Sequence, residues 1–456
     1  MSQKNIIVIH LESLSSELWD MYAEDLQAIK AIKDQSRSYT NFISSATSTH
    51  MCQTAFLTGR DDALDHINIF GSGQAANVSR EDSLWGILEQ QGYRTGGLIF
   101  PIVDPGEHET FVKLGISPFS QERYDFEDLD EFVEEVGEFC SGETPWALYI
   151  HPLVAHICYT NETNPEELDF HEYTRRGYAD MDKLVQQLRD LLENQKDDTV
   201  WLFFGDHGDS IHTHGWNYGL AHTGDPHFPL IHCPLFLTGP GIEPEVKDDL
   251  LATTDCREMV FQELGISTES PKSHKAVFSQ NLFADQQPNH LLNKSFAAYD
   301  GTYILMVSAL GLEMYDCRLD HGNHNNLLSF FKLQKDGSIE HSLADLPYNK
   351  HPPKIHSPKT NEDIQTHFYA LRKELSDHLD RKYDRLGESV KYRLPPKAFR
   401  KIRTRKFYWL YPTPWRRNLK PAMIRANMRR ALRFVLKTIL PTSLYGSVRK
   451  KVSKSN

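Results

Sequence analysis

Near its start the chain reads Ile6-Ile7-Val8-Ile9-His10-Leu11-Glu12-Ser13, a short apolar run rich in β-branched residues that ends in a carboxylate. A run that is apolar at nearly every position is typical of a strand in a parallel sheet with both faces covered. In open sheets of this class, ligands bind outside the carboxyl ends of the strands. The stretch therefore predicts a buried central strand that delivers Glu12 to a functional edge.

The rest of the first half alternates between strand-like and helix-like segments. Residues 93–100, 146–150 and 199–204 have the composition of further strands. A helical stretch with a glycine stop occupies 83–92, and apolar residues recur at helical spacing between 178 and 192. Because parallel strands need a crossover connection, this alternation predicts an α/β fold with a doubly wound, mostly parallel central sheet and helices on both faces.

We divide the chain into a catalytic domain at 1–285, a small C-terminal α+β subdomain at 286–345, a linker and amphipathic helix at 346–389, and a basic amphipathic tail at 390–456. A strand pair at 295–307 and 312–315 predicts that the subdomain carries an antiparallel sheet. The helix is predicted from apolar residues that recur every three or four positions among charged ones: Ile364, Phe368, Leu371, Leu375 and Leu379.

The composition is that of a globular protein. With 456 residues, 39% of them hydrophobic, the chain is long enough to bury a large core. The apolar run at 6–9 is too short for a signal peptide or a membrane span. The six cysteines are scattered without a CxxC pair, which indicates neither a zinc ribbon nor a disulfide framework. We therefore expect a cytoplasmic protein with reduced, buried thiols.

The charge is distributed very unevenly along the chain. The net charge is −12, but residues 390–456 contain 20 Lys and Arg and no Asp or Glu, which leaves 30 basic against 62 acidic residues in the first 389. This separation of charge indicates an acidic body and a basic tail that binds an anionic surface. In the tail, apolar residues fall at helical spacing between Ile424 and Ile439, and Trp409 and Trp415 precede them.

This tail pattern has three interpretations. Basic residues opposite an apolar face, with aromatic rings upstream, are typical of a helix that lies on an anionic membrane. The tail could instead dock on the acidic body, or bind nucleic acid. We favour the membrane surface and expect no nucleic acid, which would place the protein in the cytoplasm, peripheral on the inner face of the membrane.

Three separated segments place metal-binding or nucleophilic side chains at strand ends. Glu12 follows the first strand, Asp206 and His207 follow the apolar strand at 199–204, and Thr49 lies in a hydroxyl-rich segment. Two carboxylates, a neutral imidazole and a hydroxyl suit one divalent metal ion, Zn²⁺ or Mn²⁺, with Mg²⁺ or Ca²⁺ as further options. A metal would lower the pKa of the Thr49 hydroxyl and make it a usable nucleophile.

These segments, in this order, resemble the alkaline phosphatase and sulfatase superfamily. The family's nucleophile stands ten residues before the glycine of a Leu-Thr-Gly motif, and counting back from Gly59 gives Thr49. The family's Asp-His-Gly metal motif is matched at 206–208. The Leu-Glu-Ser start resembles lipoteichoic acid synthases and phosphoethanolamine transferases, which implies that Glu12 binds metal. The resemblance covers about residues 5–330.

The same resemblance implies a set of substrate-side residues. His156 and Tyr159 match a His-x-x-Tyr element, and a later histidine of the family is matched by His214 or His222. His156 and His222 would position the substrate or protonate the leaving group, with His214 and Tyr159 as further substrate-side residues. Neighbouring His212 and His227 could exchange roles with His222.

The departures from the sulfatase pattern concern the nucleophile and the anion site. Sulfatases place Cys or Ser where Thr49 stands, because only these are converted to formylglycine, and Arg where this chain has Gln53. Their lysine-containing Gly-Lys-Trp-His segment is replaced here by residues 98–101. A formylglycine sulfatase is therefore disfavoured. A second metal is disfavoured too, because Asp182 is followed by Gln186 rather than by the histidine that would complete a second site.

Each site residue also has a purely structural interpretation. Asp206 could cap a helix or turn, Glu12 could be a helix N-terminal carboxylate, and Thr47 is the nearest rival nucleophile.

We expect a metal-dependent enzyme that cleaves or transfers a phosphate ester through Thr49, on a lipid-linked or polysaccharide substrate. The alternatives are a sulfuric ester hydrolase and, from another class, an inactive protein of this fold that scaffolds a glycan-assembly complex.

Overall fold

The computed structural model describes residues 3–66, 79–100, 129–142, 145–156, 170–209, 224–268, 271, 273–282, 294–341, 361–390 and 393–403. The chain divides into two units, Met1–Lys406 and Phe407–Asn456. The second unit, and with it most of the predicted basic tail, lies outside the described residues.

The central sheet has seven strands among the described residues, numbered in chain order: β1 (Asn5–Leu11), β2 (Arg37–Ile43), β3 (Arg94–Phe100), β4 (Trp146–Pro152), β5 (Thr199–Gly205), β6 (Leu235–Thr238) and β7 (Glu245–Ala252). Their order across the sheet is β3-β4-β1-β5-β6-β2-β7. Neighbours pair in parallel from β3 to β5 and between β2 and β7, whereas β6 runs antiparallel to β5 and β2. The prediction of a mostly parallel sheet is confirmed.

The described helices are α1 (Ser16–Met21), α2 (Gln27–Lys33), α3 (Thr49–Thr58), α4 (Leu84–Gln90), α5 (Leu129–Cys140), α6 (Phe170–Leu191), α7 (Phe228–Ile231), α8 (Cys256–Glu263) and α9 (Asn361–Leu386). Helices α1, α2, α5 and α6 contribute to one hydrophobic core on the central sheet, and α3, α4 and α8 to a second. Alternate residues of β1 enter the two cores, Ile7 and Ile9 the first, Ile6 and Val8 the second. None of the described helices is long and apolar enough to span a membrane.

A separate antiparallel sheet contains β8 (Val277–Leu282), β9 (Lys294–Tyr299), β10 (Tyr303–Ser308) and β11 (Gly311–Asp316), in the order β11-β10-β9-β8, and a short pair, β12 (Phe331–Leu333) and β13 (Ile339–His341), follows. The sequence was interpreted as one strand over 295–307, and this was wrong. The chain reverses at Asp300 and Gly301, whose φ of 88° is a conformation that glycine tolerates well. Asp300 accepts hydrogen bonds from the backbone N–H groups of Thr302 and Tyr303, which fixes the turn.

Helix α9 packs on this second sheet with the face that its spacing predicted. Ile364, Phe368, Leu371, Leu375 and Leu379 are all buried in one cluster with the strands. The segment at 393–403 also packs there, because Leu394 and Ala398 are buried and Leu312 exchanges backbone hydrogen bonds with Lys401 and Arg403. This part of the basic region is therefore built into the folded unit.

Asp61 joins the turn after α3 to α9. Its carboxylate lies 2.9 Å from Nε2 of His378 and accepts a hydrogen bond from Arg385 at 2.9 Å. Burial raises the pKa of Asp61, but the hydrogen bond with His378 and the charges of Lys382 and Arg385 outweigh it, so the pKa lies well below its usual range. The carboxylate therefore stabilises the contact between the turn after α3 and helix α9.

Replacing Asp61 by asparagine is expected to lower the free energy of unfolding by about 2 kcal/mol at pH 7. A carboxyl group whose pKa is depressed on folding stabilises the protein above its unfolded pKa, and that contribution is lost as the pH falls through the lower, folded pKa. The difference between wild type and Asp61→Asn should therefore shrink below about pH 4. Urea unfolding at pH 7 and pH 3 measures it, and an undiminished difference at pH 3 would contradict the assignment.

The matched control is Asp377→Asn on the same helix. Asp377 pairs with Lys373 on the exposed side of α9, and exposed pairs of this kind contribute about 0.3–0.5 kcal/mol. Its substitution should change the urea midpoint little at either pH.

Candidate active site

The site lies at the carboxyl ends of three neighbouring strands, β4, β1 and β5. The register places His10 of β1 opposite Phe204 of β5. Because alternate residues of a strand lie on the same face, Glu12 follows His10 and Asp206 follows Phe204 on that face. Two segments 194 residues apart in the chain, counted from Glu12 to Asp206, therefore meet at one edge of the sheet.

Glu12, Asp206 and His207 form a fully buried cluster whose nearest ligand-type atoms all lie within 4.8 Å of one another. One oxygen of Asp206, Oδ1, accepts hydrogen bonds from the backbone N–H groups of Ser13 at 2.9 Å and His207 at 2.8 Å. The other, Oδ2, lies 3.2 Å from Nε2 of His207 and has no hydrogen-bond partner among the described residues. One carboxylate oxygen is thus fixed by the backbone while the other faces the cluster.

Both carboxyl groups favour the ionised form. Burial raises the pKa of Asp206, but the neighbouring imidazoles of His207 and His10 outweigh it and hold the pKa well below the usual range. Burial and the charge of Asp206 raise the pKa of Glu12, and the hydrogen bond with His151 is among the contacts that bring it below its ordinary value. Two adjacent, buried carboxylates repel each other and are stable in the ionised form only with positive charge nearby, such as a bound cation.

The donor set fits a divalent metal ion. It offers two carboxylates, the imidazole Nε2 of His207 and the hydroxyl of Thr49, and it leaves Oδ2 of Asp206 without a donor among the described residues. Oxygen and imidazole ligands in this combination suit Zn²⁺ or Mn²⁺. A bound cation would interact with the buried Oδ2 of Asp206 and offset the repulsion between the two carboxylates.

The chain turns sharply after Glu12. Ser13 has a φ of 53°, a left-handed conformation that is unfavourable for a residue with a side chain. Three hydrogen bonds hold this conformation. The backbone N–H of Ser13 donates to Asp206 and its hydroxyl donates to Glu12 at 2.7 Å, while its carbonyl oxygen accepts from the Tyr178 hydroxyl at 2.8 Å. The strained turn therefore positions both carboxylates at once.

Gly208, the glycine of the Asp-His-Gly segment, is required for steric reasons. A Cβ atom at Gly208 would lie 2.5 Å from the side chain of Ser15 and 2.9 Å from the carbonyl oxygen of Pro229. Contacts under 3 Å cannot be accommodated without movement of the backbone. Glycine is needed here so that the chain after His207 can pass between Ser15 and Pro229.

Thr49 is the first residue of α3, and its Oγ1 lies 3.0 Å from Nε2 of His207. All ten residues of the helix are buried, because one side contributes to the core on the central sheet and the other to the core under the second sheet. The helix ends at Gly59, whose φ of 63° is the left-handed C-terminal conformation. Thr49 thus stands at a rigid, buried helix N-terminus beside the cluster.

The rival hydroxyl, Thr47, is directed elsewhere. Its Oγ1 donates a hydrogen bond to the carbonyl oxygen of Gly224 at 3.1 Å. Thr49 is therefore the hydroxyl that meets His207 in the described part of the structure.

The predicted substrate-side residues are described only in part. Nε2 of His156 lies 3.9 Å from Oε1 of Glu12, and its side chain is 16% exposed, so it stands between the cluster and solvent. The ring of His227 is buried and packs edge-on against Tyr315. Tyr159, His212, His214 and His222 lie outside the described residues.

Two histidines that sequence reasoning missed lie directly beneath the carboxylates. Nε2 of His151 lies 2.5 Å from Oε2 of Glu12, and Nε2 of His10 lies 3.1 Å from Oδ2 of Asp206. Burial and the neighbouring His151 lower the pKa of His10 and favour its neutral form. The signal was present in the sequence, since each histidine interrupts an otherwise apolar strand and His10 shares the parity of Glu12.

Comparison with known proteins identifies the family of the chain. The family model described as Sulfatase matches residues 4–266, which is more than half of the chain. No curated protein matches the sequence.

Solved structures share the fold at low identity. A 2-O GAG sulfatase has a TM-score of 0.64 at 13% identity, over 92% of this chain and 100% of its own. A protein of the alkaline phosphatase superfamily from Vibrio parahaemolyticus has a TM-score of 0.51 at 13% identity, over 76% of this chain and 83% of its own. A protein in complex with its substrate D-glucosamine-2-N,6-O-disulfate has a TM-score of 0.58 at 11% identity, over 86% of this chain and 100% of its own. The family match confirms the resemblance to sulfatases inferred from the motifs, and the chain belongs to the sulfatase family.

Proposed function

We propose that the chain is a metal-dependent enzyme that cleaves a phosphate ester with Thr49 as the nucleophile. The observation that carries the proposal is the 3.0 Å contact between Oγ1 of Thr49 and Nε2 of His207, at the rim of the cluster with Glu12 and Asp206. These four side chains would hold the cation. When bound, a divalent cation lowers the pKa of a hydroxyl and offsets negative charge on the transferred group.

The helix N-terminus supplies further stabilisation for the transferred group. The first N–H groups of a helix have no partner within the helix, and its N-terminal end carries partial positive charge. Because Thr49 is the first residue of α3, an oxyanion attached to its Oγ1 would lie beside these groups. The helix is buried throughout, which keeps the interaction strong.

The reaction takes two displacements. Oγ1 of Thr49 releases its proton to solvent and forms a bond to phosphorus while the bond to the leaving oxygen breaks, and His156 would give that oxygen a proton and take another from solvent. Water then forms a bond to phosphorus as the bond to Oγ1 breaks, and the proton that the water loses passes to Oγ1. An acceptor alcohol in place of water would make the same enzyme a transferase. His222, His214 and Tyr159 remain proposed substrate-side residues.

A sulfate ester is the second candidate, and the comparisons favour it over the phosphate ester. The neighbours whose substrates are named include a 2-O GAG sulfatase and a protein bound to a glucosamine disulfate. The phosphate ester rests instead on Thr49, because this residue is not one that yields formylglycine. The two candidates share the cluster and the nucleophile, and they differ only in the central atom of the ester.

Parallel turnover of nitrophenyl phosphate, bis-nitrophenyl phosphate and nitrophenyl sulfate by the metal-loaded protein decides between them. We expect the highest kcat/KM on one of the two phosphate esters. A higher kcat/KM on the sulfate ester would replace the first candidate by the second. No turnover of any of the three by protein that holds its metal would favour a non-catalytic scaffold.

We further propose that residues beyond Lys406 bind an anionic membrane, where a lipid-linked saccharide substrate would be found. The tail after Lys406 contains 12 Lys and Arg and no acidic residue. Each such cation contributes about 1 kcal/mol at an anionic bilayer surface. The chain just before the tail is held in place, because Arg403 pairs with Asp225 at 2.5 Å and with Glu313 at 3.0 Å in the described unit.

Truncation after Lys406 is expected to abolish binding to vesicles that contain anionic lipid, while turnover of the small nitrophenyl esters stays near that of the full chain. The cut preserves Arg403 and the packed segment before it, so the folded unit is kept intact. Binding of the full chain should weaken steeply as salt rises. Vesicles of neutral lipid are the control, and undiminished binding by the truncated protein would contradict the proposal.

A further inference from the structure

We propose that His10 and His151 are positioning residues that orient the two carboxylates of the metal cluster, each through its own hydrogen-bond relay. The inference rests on the proposed metal site but concerns residues that hold the ligands rather than the ligands themselves. Both histidines are fully buried, and neither contributes to the Glu12, Asp206 and His207 cluster directly.

The first relay runs from α3 to Glu12. Nε2 of His151 lies 2.5 Å from Oε2 of Glu12, and a carboxylate oxygen only accepts hydrogen bonds, so Nε2 carries the proton. Nδ1 of His151 is then an acceptor, and the side-chain amide Nε2 of Gln53 donates to it at 3.0 Å. The amide of the nucleophile-bearing helix thereby fixes the tautomer of His151 and aims its N–H at Glu12.

The second relay runs from β4 to Asp206. Nε2 of His10 lies 3.1 Å from Oδ2 of Asp206, a close electrostatic contact, and neither atom makes an aligned hydrogen bond among the described residues. The same reasoning places the proton on Nε2, so Nδ1 of His10 accepts from the hydroxyl of Tyr149 at 2.8 Å. Each relay ends in an imidazole beside one carboxylate, hydrogen-bonded in the case of His151 and Glu12, and in close electrostatic contact in the case of His10 and Asp206.

The pairing of neighbouring strands brings the two histidine rings into one stacked row. The rings of His10 and His151 stack with centroids 3.8 Å apart and planes 5° apart, and the ring of Phe204 stacks on the other side of His10 at 4.9 Å. Three adjacent strands thus contribute one row of rings beneath the carboxylates. A rigid row of this kind fixes the direction of both N–H groups, as outer partners of metal ligands do.

A second metal ion bound by His10, Glu12 and His151 explains the same atoms less well. These three residues do bring ligand-type atoms within 4.8 Å. However, a cation binds an imidazole in the plane of its ring, and two parallel stacked rings cannot both direct Nε2 at one ion. The short contact between His151 and Glu12 is also that of a hydrogen bond.

The test uses Co²⁺ added to metal-free full-length protein, with affinity from chelator competition and coordination from the visible absorption spectrum. His10→Phe and His151→Phe keep a ring in the row but remove the N–H, and each should weaken Co²⁺ binding about 10- to 100-fold with the spectrum of the bound ion unchanged. His10→Gln and His151→Gln restore an N–H donor at a similar distance and should recover most of that affinity.

Tyr149→Phe separates the two relays. It should weaken Co²⁺ binding a few-fold, since it removes one hydrogen bond worth about 1 kcal/mol. The effect should vanish in the His10→Phe background and persist in the His151→Phe background. Tyr93→Phe is the matched control, because the Tyr93 hydroxyl is buried without a partner among the described residues and lies outside both relays.

Each result either supports or overturns the inference. Equal Co²⁺ affinity in wild type and the phenylalanine variants overturns it while leaving the metal site intact. A changed spectrum in His10→Phe overturns it by making His10 a ligand. Wild-type protein that binds no Co²⁺ overturns the metal site and this inference together. If a phenylalanine variant does not fold, the comparison of Tyr149→Phe with Tyr93→Phe decides alone, and equal affinities then overturn the second relay.

Discussion

Replacing Thr49 by alanine is expected to lower kcat about 10³-fold or more, while the protein keeps most of its affinity for the metal. In the proposed mechanism Oγ1 of Thr49 is the atom that attacks the ester, whereas Glu12, Asp206 and His207 would remain to hold the cation. Single-turnover kinetics on the best nitrophenyl ester and metal content after desalting measure the two effects separately. The structure gives no reason to expect unfolding, because α3 has nine further buried residues.

Two variants serve as controls for this result. Thr49→Ser keeps the hydroxyl and should retain measurable turnover, whereas Thr47→Ala removes a hydroxyl that bonds the carbonyl oxygen of Gly224 and should leave the chemical step nearly unchanged. Full activity of Thr49→Ala would show that another group attacks. Loss of activity in Thr47→Ala alone would transfer the role to Thr47.

Asp206→Asn is expected to weaken metal binding by more than about 100-fold, since even partners in the outer shell of a metal site contribute 10- to 100-fold. The amide keeps the shape of the side chain and an oxygen for the N–H groups of Ser13 and His207, but it removes the charge that faces the cluster. Turnover should be lost with the metal. Addition of metal at 100 times its Kd should stabilise wild type by about 2.7 kcal/mol and the variant by much less.

Thermal unfolding with and without metal measures that difference, and Asp182→Asn is the matched control. Asp182 accepts hydrogen bonds from the N–H groups of Ala28 and Ile29 at the start of α2, so its loss should affect stability but not metal affinity. An equal metal-dependent shift in Asp206→Asn and wild type would place the metal elsewhere.

The sequence predicted those parts of the fold that depend on local pattern. An apolar run followed by a carboxylate identified β1 with Glu12 and β5 with Asp206. Strands that are buried on both faces are apolar at nearly every position, so each can be predicted from its own sequence. The amphipathic face of α9 was equally clear, since its polar side remains in solvent. The reversal at Gly301 was missed although Asp300-Gly301 is a typical hairpin-turn dipeptide, because the apolar residues on its two sides were interpreted as one continuous strand.

The site was harder to predict where it depends on register. His10 and His151 belong to strands that are neighbours only in the folded sheet, so their stacking and their approach to Asp206 and Glu12 could not be read from either strand alone. Gln53 was noted in the sequence only as a departure from the sulfatase arginine, yet in the structure it bonds His151. A helix buried on all sides, such as α3, likewise carries no amphipathic signal to orient it.

The most direct test of the central claim is the position of the metal in crystals of the full-length protein grown with Zn²⁺. We predict one anomalous difference peak at about 2.0–2.2 Å from ligand atoms of Glu12, Asp206 and His207, with Oγ1 of Thr49 beside it. The absence of a peak there, or a peak held by other side chains, would contradict the account.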